Sequence, residues 1–558
     1  MSAGRGADPR SWFCAVAAAA VALVEGAGLG EPAGRTIAAA WLYGGGGLLG
    51  GALLAVALRA LGRAPRSRLP WRLPVVAASV AALASLAVWW WPPERGEAAA
   101  GAPDVLLITC DTTRADRWWA IADAEAPGAA LEDGAFVFAT AYATTGLTAP
   151  AHASILTGLH PHQHGLHNNG GRLPRLPGMA ESLRAEGWTT LAVPSVIHLD
   201  PGFGFAQGFD RHVQVEDGLA GWMRPLQAFA LVRRALRVVG GGRAVRSGIE
   251  TLAAATDLWR SEAGNRPRFL WVHVYDPHWP YEPAPADLGV ADSLPPWPAV
   301  PVPGWDEQDV AGWRRAYDGE LVGTRRRLRE FVAGLRAEAA AGSRRLWVIG
   351  LADHGEAFGE HGAVDHGDLL YEEQLRVPFW IDAGGASDAI LRDVRSDLPA
   401  SQVDVFPTLM ALLGLPLPAG LPGRSLRPAM RGETQPLAPV FAQTRLRTFD
   451  NAMVRLGSWK TVRNLRFAPN VFGNKPGRER RSAPEDLAWM ILGGERYSIA
   501  ADPFELEPLA EPPPGLADAL SAALEDWLRE RGPPPPEGAL RQNLSPDVVQ
   551  ALRELGYF

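Results

Sequence analysis

Cysteine and lysine are nearly absent from this chain, which has two cysteines among its 558 residues. Cys14 lies within an apolar stretch near the start and Cys110 at the end of another, so we expect no disulfide. Lysine occurs only at Lys460 and Lys475, so a site built from earlier residues has no lysine. The net charge of −7 is modest for this length and gives no reason to expect nucleic acid as a partner.

Charge is also scarce in three long apolar stretches near the N-terminus. Stretches 37–58 and 73–91 contain no charged residue, and stretch 11–29 carries Glu25. Each is about as long as a bilayer-spanning helix, which needs roughly 20 residues. A cleaved signal sequence is the alternative for the first stretch. The two stretches that follow favour three transmembrane helices in a membrane domain over residues 1–95.

Arginine placement predicts the orientation of these helices. The loop between the second and third stretches contains no acidic residue and carries Arg59, Arg63, Arg66, Arg68 and Arg72. Short positively charged loops stay in the cytoplasm, so everything after Trp91 is expected outside. We therefore predict a multi-pass protein of the cytoplasmic (inner) membrane, and a catalytic domain downstream would lie on its extracytoplasmic side.

From Asp104 onward, apolar runs alternate with helical patterns. The clearest predicted strands are Asp104–Thr109, Phe269–Tyr275 and Arg345–Ala352, with helices at Met179–Glu186 and Tyr317–Leu335. This alternation predicts an α/β domain whose sheet carries helices on both faces.

The pattern changes after residue 430. Arg445–Phe467 suggests antiparallel strands, and Gly515–Arg531 suggests a helix. We therefore predict a catalytic domain over residues 104–430 and a small α+β subdomain over residues 431–558.

Polar residues follow each of the three predicted strands at once. Because ligand sites in open α/β sheets form beyond the carboxyl ends of the strands, we expect these side chains to meet. Carboxylates and imidazoles suit a divalent ion of the zinc, manganese or calcium class. The candidates are Asp111, His278, Asp353, His354, His361 and His366.

The densest signal lies in residues 144–158. Thr148 suits a helix N-cap, with Pro150 in the first turn and Gly158 near the end, and an ordinary cap is one explanation. A hydroxyl at a helix N-terminus also lies where backbone N–H groups stabilise an anion such as a phosphoryl group. A nearby metal would lower the pKa of that hydroxyl, so Thr148 is a candidate nucleophile.

Several ordered motifs resemble the sulfatases and, more widely, the alkaline-phosphatase superfamily. Residues 104–116 resemble the first strand and metal loop, residues 269–281 the Asp-Pro-His segment, and residues 401–409 with 423–426 the end of the catalytic domain. The resemblance implies an alkaline-phosphatase/sulfatase-like mixed sheet with helices on both faces. It also implies one divalent ion bound by Asp111, Thr148, Asp353 and His354, with His366 as a further candidate ligand. A second ion, contacts with the substrate and leaving group, or a structural role are the alternatives for His278, His361 and His366.

The departures from the family pattern concern the reaction. Thr148 stands where sulfatases carry the Cys or Ser that becomes formylglycine, and that conversion cannot start from threonine. His152 replaces the motif arginine, and Thr112 stands where many sulfatases have a second aspartate. His198 is kept while the lysine expected nearby is lost. Related phosphodiesterases and phosphotransferases use a threonine nucleophile.

The resulting hypothesis is a metal-dependent ester hydrolase or transferase. Thr148 attacks phosphorus and forms a covalent intermediate, while His152, His198, His278 or His366 binds the anion or protonates the leaving oxygen. Envelope lipids or glycans are the expected substrates. The alternatives are a sulfuric ester hydrolase with an unmodified threonine and a membrane-anchored binding protein whose site has decayed.

Overall fold

A computed structural model describes residues 95–532, except 127, 129, 216–243, 301, 303–304, 384–389, 446–448, 468–492, 509–511 and 514. The three predicted transmembrane helices, at 11–29, 37–58 and 73–91, lie outside the described residues. Within the described part, no helix combines the length and the apolar character that crossing a membrane requires.

The largest element is an eight-stranded mixed sheet, ordered β12-β2-β11-β7-β1-β6-β4-β5. Seventeen strands are described in all: β1 (Asp104–Cys110), β2 (Phe136–Phe138), β3 (Ala141–Tyr142), β4 (Thr189–Val193), β5 (Arg211–His212), β6 (Arg268–Val274), β7 (Leu346–Ala352), β8 (Ala357–Phe358), β9 (Val364–Asp365), β10 (Arg376–Val377), β11 (Phe379–Asp382), β12 (Val394–Ser396), β13 (Ala400–Ser401), β14 (Val440–Arg445), β15 (Phe449–Leu456), β16 (Trp459–Phe467) and β17 (Gly493–Ser498). The three predicted strands are confirmed as β1, β6 and β7, each within one residue of its expected ends.

The described helices, in chain order, are α1 (Ala115–Ala124), α2 (Thr148–Thr157), α3 (Pro161–His164), α4 (Met179–Ala185), α5 (Gly248–Ser261), α6 (Pro285–Ala291), α7 (Glu307–Ala341), α8 (Glu372–Leu375), α9 (Val405–Leu413), α10 (Arg427–Met430) and α11 (Leu516–Arg531). Helix α7 begins ten residues before its expected start at Tyr317. Its N-terminus lies there because Asp306 accepts hydrogen bonds from the backbone of Gln308 and Asp309.

Helices cover both faces of the large sheet, as predicted. Side chains of β1 alternate between two hydrophobic cores, with Val105 and Leu107 in one and Leu106 and Ile108 in the other. The first core includes residues of α2, α4 and α9, and the second includes residues of α1, α5 and α7. Burial of both faces explains why all seven residues of β1 are buried.

The C-terminal part contains a separate antiparallel sheet, ordered β14-β15-β16-β17. Its Ala452 and Val454 pack against Leu520, Leu524 and Trp527 of helix α11. The strands and the helix expected in this part of the chain are therefore confirmed.

Candidate active site

The candidate ligands meet because three neighbouring strands run parallel. Strand β1 pairs with β7 on one side and β6 on the other, and Cys110 aligns with both Ala352 and Val274. The chain leaves the sheet at the same edge after each strand. Asp111 directly follows β1, and Asp353 directly follows β7. The side chains that follow these strands therefore converge at this edge, as predicted.

Asp111, Asp353 and His354 form a compact, fully buried group. One ligand atom from each lies within 4.8 Å of the others. The Nε2 atom of His354 is 3.7 Å from Oδ1 of Asp111 and 3.6 Å from Oδ2 of Asp353. These separations are too long for hydrogen bonds. Two ligands that each lie about 2.1 Å from one ion are about 3.0–3.5 Å apart, so the group nearly matches the spacing of a shared divalent ion.

Hydrogen bonding orients His354 as a metal ligand. Its Nδ1 lies 3.0 Å from the carbonyl oxygen of Gly355, which can only accept a hydrogen bond. Nδ1 therefore carries the proton, and Nε2 presents its lone pair to the two carboxylates. Fixing the tautomer through the second ring nitrogen is how proteins usually prepare a histidine for a metal.

The charge of the group also calls for a cation. Burial raises the pKa of Asp111 to about 6, although the charges of His278 and His366 act in the opposite direction. Burial and the neighbouring charge of Asp111 raise the pKa of Asp353 well above its ordinary value. Neither oxygen of Asp111, nor Oδ2 of Asp353, makes a well-formed hydrogen bond in the described part. Two buried carboxylates this close are stable only when a cation or protons balance their charge.

Thr148 lies beside this group but is not the helix cap that the sequence suggested. Leu147 occupies the N-cap position of α2, and Thr148 is the first helical residue. The Oγ1 atom of Thr148 lies 3.3 Å from Nε2 of His354. Its hydroxyl therefore faces the candidate metal site, which an ordinary capping role would not require. The expected end of the helix at Gly158, with φ of 70°, is confirmed.

The N-terminus of α2 offers fewer amide donors than expected. The backbone N–H of Ala149 donates to Oδ1 of Asn169 at 2.8 Å, and Pro150 has no N–H. Anion binding by these two positions is thereby excluded. The helix dipole remains as a weaker source of positive potential near Thr148.

His152 lies one turn after Thr148 and is completely buried. Its Nδ1 donates to the carbonyl oxygen of Thr148 at 2.7 Å, and its Nε2 accepts from the hydroxyl of Thr109 at 2.9 Å. Burial and the neighbouring His273 hold the pKa of His152 well below its ordinary value. His152 is thus a neutral ring with a protein partner on each nitrogen, in contrast to the substrate-binding or acid role that we predicted for it.

His273 was not among the predicted site residues. It lies on β6 with its Nε2 3.4 Å from Oδ2 of Asp111 and its Nδ1 2.9 Å from the hydroxyl of Ser195. Its ring packs edge-on against His152, with the ring centres 4.8 Å apart. Its position in an otherwise apolar strand could have identified it from the sequence, because a buried imidazole needs a polar partner.

His366 lies beside His354, with the two ring centres 4.4 Å apart. Its Nδ1 is 3.1 Å from Glu356 and 2.9 Å from Asp365, and with them it forms a second cluster, separate from Asp111. Burial alone would lower the pKa of His366, but these two carboxylates raise it to about 10. The structure thus places His366 outside the Asp111 group, whereas we predicted it as a ligand of that ion or of a second one.

The remaining predicted histidines differ in their distance from the centre. The ring centre of His278 is 5.2 Å from that of His366, and its Nδ1 contacts the carbonyl oxygen of Trp279. His198 is buried in a single 3₁₀ turn, and burial is the main cause that holds its pKa well below the ordinary value. His361 lies apart, between Glu373 and the backbone of Glu505.

Comparison with known structures shows the same fold. A 2-O GAG sulfatase is similar over 77% of this chain and 92% of its own, with a TM-score of 0.53 and 20% identity. The phosphonate monoester hydrolase of Agrobacterium radiobacter is similar over 77% of this chain and 95% of its own, with a TM-score of 0.52 and 20% identity.

Comparison with known sequences gives the family. A Delta 4,5-hexuronate-2-O-sulfatase of Bacteroides thetaiotaomicron is 26% identical over 223 residues, which are 40% of this chain and 44% of that protein. The chain therefore spans less than half the length of this curated relative. The family model described as Sulfatase matches residues 103–415, more than half of the chain. This chain is therefore a member of the sulfatase family.

Proposed function

We propose that this protein is a metal-dependent ester hydrolase or transferase that acts on phosphoric esters through a covalent intermediate on Thr148. The observation that carries the proposal is the position of the Thr148 hydroxyl, 3.3 Å from Nε2 of His354 and beside the carboxylates of Asp111 and Asp353. A nucleophile next to metal-ligating groups is the arrangement that such displacement requires.

Asp111, Asp353, His354 and Thr148 would hold the ion, and a bound divalent ion would supply Lewis acidity and a lower hydroxyl pKa. In the first step, Oγ1 of Thr148 loses its proton and bonds to phosphorus as the P–O bond to the leaving group breaks. In the second step, water or an acceptor hydroxyl attacks the phosphothreonine and frees Thr148. Water as the acceptor gives hydrolysis, and an alcohol gives transfer.

His366 supplies the positive charge that the missing lysines would have supplied. The carboxylates of Glu356 and Asp365 both face Nδ1, and they stabilise the protonated ring. Its Nε2 has no hydrogen-bond partner among the described residues. The ring centres of His366 and His354 are 4.4 Å apart, so this N–H lies near the reacting group. We assign His366 to binding the substrate anion or protonating the leaving oxygen, with His278 beside it.

A sulfuric ester is the second candidate substrate. The name of the 26% identical relative, a hexuronate-2-O-sulfatase, favours it. Thr148 favours a phosphoric ester, because threonine cannot provide the aldehyde hydrate from which formylglycine enzymes expel sulfate. The similar fold of a phosphonate monoester hydrolase is consistent with phosphorus chemistry on this scaffold.

The location of the enzyme is also part of the proposal. The apolar stretches before residue 92 and the arginine-rich loop between them support an inner-membrane anchor with an extracytoplasmic catalytic domain. Envelope lipids or glycans would then be the nearest ester substrates. A reporter enzyme fused after residue 95 should be active outside the cytoplasm, and activity only in the cytoplasm would contradict this orientation.

The substitution Thr148→Ala tests the chemical proposal directly. We expect turnover of a phosphodiester by the full chain to fall at least about 1,000-fold, because the variant cannot form the intermediate. Thr157→Ala is the matched control, since this buried threonine lies on the same helix, and its hydroxyl donates to the carbonyl oxygen of Ala153 and accepts from the N–H of Leu159. Undiminished phosphoester turnover by Thr148→Ala would refute the nucleophile.

Two further measurements separate the alternatives. Comparison of phosphodiester, phosphomonoester and sulfate ester turnover by the wild-type chain ranks the substrate classes, and a preference for sulfate would favour the second candidate. Elemental analysis tests the third hypothesis, a decayed binding protein, because a decayed site should hold no stoichiometric divalent ion.

A further inference from the structure

The carboxylate of Asp111 lies between two imidazoles, and each of its oxygens faces one of them. Oδ1 is 3.7 Å from Nε2 of His354, and Oδ2 is 3.4 Å from Nε2 of His273. All three side chains are completely buried. The structure therefore distinguishes the two oxygens of this candidate ligand, and the chemistry of the second imidazole decides what Oδ2 does.

The partner of His273 on its far side is Ser195. The hydroxyl of Ser195 lies 2.9 Å from Nδ1 of His273, and this side chain is also completely buried. If Nδ1 carried the proton, the lone pair of Nε2 would face the carboxylate oxygen of Asp111, which is repulsive. If the hydroxyl of Ser195 donates to Nδ1, Nε2 carries the proton and points it at Oδ2 of Asp111. The second arrangement alone gives every one of these buried groups a favourable neighbour.

We propose that Ser195 and His273 are positioning residues that hold Asp111 as a one-oxygen metal ligand. Ser195 donates to Nδ1 of His273, the Nε2–H group of His273 points at Oδ2 of Asp111 from 3.4 Å, and Oδ1 remains for the ion on the side of His354. Restricting Asp111 to one oxygen leaves a coordination position for a substrate oxygen. This inference rests on the proposed metal centre, and it concerns how that centre is oriented.

His152 does not take the place of His273 in this arrangement. Although His152, His273 and Asp353 lie close enough to form a second ligand group, both nitrogens of His152 already have partners, at Thr148 and Thr109. A second ion there would have to displace the hydrogen bond to the backbone of Thr148. The geometry therefore favours a positioning pair over a second metal site.

The test compares three substitutions in the full chain and measures the Kd of manganese, calcium and zinc for metal-free protein. His273→Leu removes the donor, and we expect about 10- to 100-fold weaker binding of the preferred ion, the usual effect of losing a group that orients a ligand. His273→Gln keeps an N–H donor on a side chain of similar length and should restore most of the affinity. Ser195→Ala should give an intermediate loss.

The control is His212→Leu, which removes a different imidazole beside Trp271 without contact to Asp111. Thermal unfolding of each metal-free variant shows whether it is folded before its affinity is compared. Wild-type affinity in folded His273→Leu would refute the positioning role. Equal losses in His273→Gln and His273→Leu would show that a ring nitrogen binds the ion directly, which also overturns the proposal.

The outcome is separable from that of the proposed reaction. Metal affinity is measured without turnover, so a failed Thr148→Ala test leaves these Kd values interpretable. Conversely, unchanged affinity in the His273 variants leaves Thr148 as the nucleophile. A wild-type chain that binds none of the three ions would refute both the metal centre and this inference.

Discussion

Two pairs of buried histidines flank the candidate metal ligands, and His366 differs in charge from the two rings of the other pair. The inner pair, His152 and His273, has hydroxyl and backbone partners, and burial lowers the pKa of both rings. The outer pair is His278 and His366, and the carboxylates of Glu356 and Asp365 raise the pKa of His366 to about 10 despite its burial. The rings of both pairs are buried, so it is the two carboxylates within hydrogen-bond distance of Nδ1 that keep His366 charged.

The difference in charge suits the two pairs of histidines to different roles. A neutral ring with both nitrogens engaged can hold other groups in place, but it cannot attract an anion. A protonated ring with an open Nε2 can do so. We therefore propose that the inner pair positions Thr148 and Asp111, and that His366 of the outer pair faces the substrate.

The largest expected effect comes from removing the outer charge. His366→Gln should lower phosphodiester turnover about 100- to 10,000-fold, the range for loss of an acid–base or anion-binding group. Bound metal, measured by elemental analysis, should stay stoichiometric because His366 lies outside the Asp111 group. His162→Gln, a histidine next to helix α11, is the control. Loss of the ion in His366→Gln would instead show that His366 is a metal ligand, which would contradict the different roles of the two pairs.

A smaller effect is expected on the inner side, in stability. His152→Leu keeps the volume but leaves the Thr148 carbonyl and the Thr109 hydroxyl without their present partners. We expect the free energy of unfolding to fall by about 2–4 kcal/mol, as measured by urea denaturation. An unchanged free energy of unfolding in His152→Leu would show that these two hydrogen bonds do not hold the ring, and it would contradict the positioning role of His152.

The smallest effect tests whether a carboxylate also sets the charge of a buried histidine outside the Asp111 group. His361 donates from Nδ1 to Glu373 and from Nε2 to the carbonyl oxygen of Glu505, so its ring must carry both protons. Burial would lower its pKa, but Glu373 and then Glu505 outweigh burial and raise it to about 9. Because this value exceeds the unfolded one of about 6.5, the contribution to stability is complete below pH about 6.5.

That contribution is lost as the pH rises through about 9. Wild-type unfolding free energy, measured from pH 6 to 10, should therefore decline more steeply than that of His361→Gln. Parallel curves for the two proteins would show that the carboxylate does not set the charge of this ring.

Much of the fold was predictable because periodicity reports burial directly. The buried strands β1, β6 and β7 are continuous apolar runs, and the polar residues that follow them mark the edge where the site forms. Helix α7 was underestimated because its first turns begin with polar residues after the Asp306 cap. The periodic signal there is weaker than in its buried centre.

The sequence by itself determined the residue types of the site and the position of Thr148 at the start of a helix. It also determined that residues 104–430 contain no lysine, so a group other than lysine must bind the substrate anion. What only the tertiary structure decided is the state of each histidine. Charge and tautomer depend on which atoms face each ring nitrogen, and those atoms come from strands and loops far apart in the chain. His152 and His366 look equivalent in the sequence, yet one is neutral and the other charged. Nδ1 of His366 lies within hydrogen-bond distance of two carboxylates, whereas Nδ1 of His152 bonds a carbonyl oxygen.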